Sequence, residues 1–128
     1  MKKSRIDIPI YLLFIAVFYV FGAIGLVIFL FADPIQASSA MAKVHGLPAS
    51  TGVWILPLIA GLALLISYGL FSLSRWGYTL TMLYLAYFGI VSGSLLRTHN
   101  DPVYLGNLMW SIFVIIYLIL VRNRFQPR

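Results

Sequence analysis

Asp33, His45, Arg97, His99 and Asp101 are the residues of this chain best suited to chemistry at a single place. Three of them fall within LRTHNDP, residues 96–102. Two imidazoles with a carboxylate could hold zinc, and bound zinc could activate a water molecule. Such a site needs His45 and His99 at a common point, yet they come from two separate stretches and their spacing follows no familiar ligand pattern. The same residues also read as helix ends. Asn100 or Asp101 can cap a helix that Pro102 helps to start. Arg97 at a helix C-terminus complements the helix dipole and can reach lipid headgroups. This second reading accounts for each residue, so no catalytic residue, metal or cofactor is expected. The absence of cysteine removes disulfides, thiol catalysis and thiolate metal sites.

The elements that carry these residues follow from charge. Only 9% of the 128 residues are charged and 62% are hydrophobic, against about 25% charged in soluble domains. Uncharged runs cover 8–32, 46–74, 76–96 and 102–121, which are 25, 29, 21 and 20 residues long. A spanning helix needs about 20 predominantly apolar residues. The sequence therefore predicts an all-α integral membrane protein forming one domain. Its four transmembrane segments, at about 9–32, 53–73, 77–96 and 103–121, make an antiparallel four-helix bundle. The basic start and the Ala-Met-Ala at 40–42 imitate a secretory signal. A signal core of about 7–15 residues is far shorter than this first run, so a retained anchor is expected.

The connection at about 33–52 contains Asp33-Pro34, good helix formers over 36–44, then Gly46 and Pro48. This predicts a short external helix at 34–44, capped by Asp33 and closed by Gly46. Pro57 falls in the first turns of the second segment, where its missing donor costs least.

Orientation follows from the basic residues. Lys2, Lys3, Arg5, Arg75, Arg122, Arg124 and Arg128 lie on one side, Lys43 and Arg97 on the other. The richer side is cytoplasmic by the positive-inside rule. Both termini should then be cytoplasmic, in the cytoplasmic membrane of a bacterium or archaeon. The net charge of +6 is thus a topology signal, and no nucleic-acid partner is expected.

Function has to be sought within the segments, which hold no charge. That speaks against a proton-coupled exporter, whose mechanism needs an embedded carboxylate. Small residues are plentiful instead. Ala86, Gly89 and Gly93 recur on one face of the third segment, and Gly89 and Gly93 form a GxxxG pair that permits close helix approach. Gly22 and Gly25 offer the same on the first segment. Tyr19, Ser67, Tyr84, Tyr87, Asn107 and Ser111 lie towards mid-depth and could glue helices together or line a ligand pocket. If the small stripe packs inward, Tyr84 points away, about 160° around the helix from Ala86, towards lipid or another subunit.

The expected function is that of a non-catalytic accessory, structural or assembly subunit. Its partners would be the lipid bilayer and other membrane proteins or further copies of itself. A second reading is an oligomeric carrier, channel or binder for a neutral or lipophilic ligand. A third is a membrane enzyme with an external His/Asp metal site.

Overall fold

The computed structural model describes residues 8–125, and the basic residues at 2, 3, 5 and 128 lie outside them. The described residues are all-helical. Five α-helices follow one another: α1 (Ile10–Ala32), α2 (Pro34–Val44), α3 (Ile55–Phe71), α4 (Arg75–His99) and α5 (Pro102–Leu120). Of these, α1, α4 and α5 are long and apolar enough to cross a membrane. At 17 residues, α3 is apolar but shorter. The long uncharged run before residue 75 spends its first part on a 3₁₀ turn at Ala49–Thr51 and on Gly52, whose φ of 84° no helix accepts.

Two pairings build the core. Helix α1 packs chiefly on α3, and α4 on α5, with α3 against α4 joining them. On α1, Leu12, Ala16, Tyr19 and Ala23 are buried at spacings of four, three and four, one face of a helix. They share a core with Ala60, Ala63, Ile66 and Leu70 of α3. The Ser67 hydroxyl donates to the carbonyl of Ala16 at 2.9 Å, tying the two backbones. Ala16 can spare that oxygen because a carbonyl has two lone pairs.

Helices α3 and α4 meet where SYGLFSLSRWG turns back on itself. Leu73 adopts φ 54°, and Ser74 caps α4 by accepting from the Gly77 amide at 3.3 Å. The same hydroxyl donates to the carbonyl of Gly69 at 3.4 Å. This draws Gly69 and Gly77 together. A methyl group at Gly69 would lie 2.5 Å from the Cα of Gly77, and one at Gly77 would strike the Gly69 backbone.

The short helix predicted at 34–44 exists over those residues, with Pro34 in its first turn. Asp33 makes no side-chain cap, because its φ of −155° and ψ of 71° aim the carboxylate elsewhere. Closure at the other end is a Schellman motif. Gly46, with φ 71°, donates to the Lys43 carbonyl at 3.1 Å, and Leu47 donates to that of Ala42 at 2.8 Å. Ala42 is buried with Ile55 and Leu56, seating α2 over the start of α3. The turn into α5 follows the helix-end reading: Asn100 is left-handed at φ 56° and Asp101 accepts from the Val103 amide at 3.0 Å.

Candidate functional site

The Schellman turn delivers His45 to the interior, where it is only 3% exposed. Its Nδ1 lies 2.8 Å from the carbonyl of Met41 and its Nε2 2.8 Å from the hydroxyl of Tyr84. A carbonyl can only accept, so Nδ1 carries the hydrogen. Neutral Nε2 is then an acceptor, and Tyr84 donates to it. Tyr87 donates to the His45 carbonyl at 2.7 Å. The His45 ring also packs on Phe88, with centroids 5.2 Å apart, and Phe88 stacks on Tyr84. Positions 84, 87 and 88 share one face of α4 by helical spacing. That face clasps the end of α2.

His45 follows α2, outside the three helices long and apolar enough to cross a membrane. Burial lowers its pKa below the ordinary histidine value of 6.5, and the bond to Met41 opposes this only in part. The imidazole is therefore a neutral structural link.

Beneath it lies a cavity of about 310 Å³. Its walls include Phe18, Tyr19 and Gly22 from α1, Ile66 from α3, Phe88 from α4 and Asn107 from α5. Three of the sequence candidates, Tyr19, Tyr84 and Asn107, line this space, together with His45. The others are placed elsewhere. Ser67 is spent on Ala16, and Tyr87 on the His45 carbonyl. Ser111 is buried on α5 against α4, and its hydroxyl lacks a hydrogen-bond partner among the described residues.

The small residues divide in the same way. A methyl group at Gly89 would lie 3.2 Å from the Ser111 Cβ, and one at Gly93 would lie 3.8 Å from Leu108. That face of α4 therefore meets α5, while Ala86 remains exposed beside it. Gly22 and Gly25 approach nothing, with no heavy atom of the described residues within 4 Å of an added methyl group. The buried face of α1 runs through Ala16 and Ala23 instead. Nor does Tyr84 point to lipid or another subunit. Helix α4 packs on two sides at once, so a residue far from the glycines still turns inward.

The residues considered for zinc do not converge. Both ring nitrogens of His45 are engaged, His99 packs its ring 6.0 Å from that of Tyr104, and Asp101 is a cap. Among the described residues no three His, Asp or Glu side chains gather where a metal could bind.

The importance of His45 was legible only in part. The His-Gly-Leu-Pro run marks a helix stop that turns its last side chain inward. Tyr84, Tyr87 and Phe88 mark a polar-edged aromatic face. Nothing in the sequence says that these two features meet. No family of known proteins matches the chain, and neither a curated protein nor a solved structure matches it.

Proposed function

We propose that this chain is a non-catalytic integral membrane protein that serves as an accessory or assembly subunit. It crosses the bilayer four times as an antiparallel bundle, with both ends in the cytoplasm and α2 outside. It acts by receiving a transmembrane helix, from another membrane protein or a second copy, against α4 and α5.

The observation that carries this reading is an open groove of about 660 Å³ between α4 and α5. Ala86, Gly89, Gly93 and Ser94 form one of its walls and Leu108 and Ser111 the other. In lipid, helix association gains nothing from apolar burial as such and depends on close packing and interhelical hydrogen bonds. Exposed Ala86 and Ser94, beside the half-buried Gly89 and Gly93 that already meet α5, keep the α4 wall low enough for a second helix to approach between larger residues such as Ile90 and Ile112. The seven-to-two distribution of basic residues supports the orientation.

Ala86→Leu tests this reading without disturbing the fold, because Ala86 is exposed. The complex purified in mild detergent should lose its stoichiometric partner or second copy, while thermal stability stays at the wild-type value. Equal assembly of the variant and the wild type would rule out the groove as the contact.

A further inference from the structure

The cavity beneath His45 is far from featureless. Five of its fifteen lining residues carry rings: Phe18, Tyr19, His45, Tyr84 and Phe88. Tyr84 and Phe88 stand nearly parallel, at 13° with centroids 5.7 Å apart, as a stacked aromatic pair along one wall. No Asp, Glu, Lys or Arg lines it among the described residues, and the hydrogen-bonded His45 ring is neutral. An ionic ligand would find no counter-charge here.

Two donors remain unspent. The Tyr19 hydroxyl accepts from Trp110 Nε1 at 3.4 Å, but its own hydrogen has no acceptor among the described residues. The Asn107 side chain has no hydrogen-bond partner among them. Asn107 is the sixth residue of α5, about 8 Å below the helix start at 1.5 Å per residue. An amide left unpaired at such a depth in a bilayer is costly.

The route in is lateral. Between α1 and α5 the contact is made by side chains such as Phe18 and Trp110, with ring centroids 4.5 Å apart. Next to it the wall is bare backbone at Gly22, which is exposed and has no neighbour within 4 Å of an added methyl group.

We propose that this cavity is a binding site for a planar, uncharged ring bearing carbonyl oxygens, the chemistry of a quinone headgroup, entering from the bilayer past Gly22. The ring lies against Tyr84 and Phe88, and a carbonyl oxygen accepts from Tyr19 and Asn107. The volume stands at the lower end of the roughly 300–1,000 Å³ of small-molecule sites, which suits a headgroup whose tail stays in lipid. The site lies on the opposite side of α4 from the groove, so either can fail without the other.

The test uses the full chain in nanodiscs with Trp54→Phe and Trp76→Phe, leaving Trp110 beside the cavity as the only tryptophan. A short-tailed prenylated naphthoquinone should quench it saturably, at one molecule per chain. Gly22→Phe, whose Cβ has no heavy atom of the described residues within 4 Å and whose ring would occupy the mouth, and Asn107→Leu should each weaken binding about tenfold or more, the scale of one lost hydrogen bond or more. The same tail without the ring should not compete. Quenching that never saturates, that is unchanged in Gly22→Phe, or that the ringless tail reverses would overturn the proposal.

Discussion

Gly77→Leu should be the most damaging single substitution in the chain, lowering stability by about 3 kcal/mol or more. Overpacking commonly costs about 1–3 kcal/mol when neighbouring side chains can adjust. Here the new side chain meets the Cα, carbonyl carbon and oxygen of Gly69, which no rotamer change can move. The clash also falls on the turn that Ser74 holds by bonding both glycines. Thermal unfolding in detergent measures the effect, with an expected drop of roughly 10 °C. Gly61→Leu is the control, since no heavy atom stands within 4 Å of a methyl group there. It should leave the midpoint unchanged or raise it slightly. Equal midpoints for the two variants would mean that α3 and α4 do not cross at Gly69 and Gly77.

His45→Leu should come next, at about 2–3 kcal/mol. Leucine fills a similar space but leaves the Tyr84 hydroxyl without an acceptor, and an orphaned buried polar group costs about 1–3 kcal/mol. The Met41 carbonyl also loses a donor. Tyr84→Phe should cost less, and the double variant less than the sum of the two, because the pair shares one bond.

The same residue gives a pH signature. Burial holds the folded-state pKa of His45 below 6.5, its value when unfolded. In the window below 6.5 the unfolded chain thus binds more protons than the folded one, and stability falls as pH falls. Well above 6.5 both forms are neutral and this contribution is flat. The groups that meet the ring are the Met41 carbonyl, the Tyr84 hydroxyl and Phe88, none of them charged. Unfolding midpoints between pH 8 and 5 should decline more steeply at the acid end for the wild type than for His45→Leu. Parallel curves would contradict the buried, neutral assignment.

How much of this was legible in the sequence depends on what each feature needs. Uncharged runs located the apolar helices because lipid forbids charge along a whole span. They placed the second segment at about 53–73, and α3 runs Ile55–Phe71, two residues shorter at each end. The turn at Ala49–Thr51 and Gly52 fall in the connection before it. Caps built from neighbouring residues, such as Asp101 on α5 and the glycine closure of α2, were readable because their partners are two to five positions away. Asp33 shows the limit of that logic, since cap chemistry without cap dihedrals makes no bond. The clasp on His45 joins residues 39 and 42 positions apart, and no local pattern sets that register. Helical spacing grouped Ala86 with Gly89 and Gly93, but it could not say that α4 also packs through Tyr84.

The central claim is four crossings with both ends in the cytoplasm, and α3 is its exposed point. Its 17 residues span about 26 Å at 1.5 Å each, against a hydrocarbon core of about 30 Å. For α3 to cross, as proposed, the turn residues on either side or local thinning of the bilayer must supply the difference. Because the chain has no cysteine, single cysteines at Ser39 on α2 and Asn123 after α5, both exposed, report the threading directly. With an impermeant thiol reagent on intact cells, Ser39→Cys should label and Asn123→Cys should label only after lysis. If both label in intact cells, α3 does not cross. If only Asn123→Cys labels, α1 does not carry α2 to the outside, and the threading is wrong.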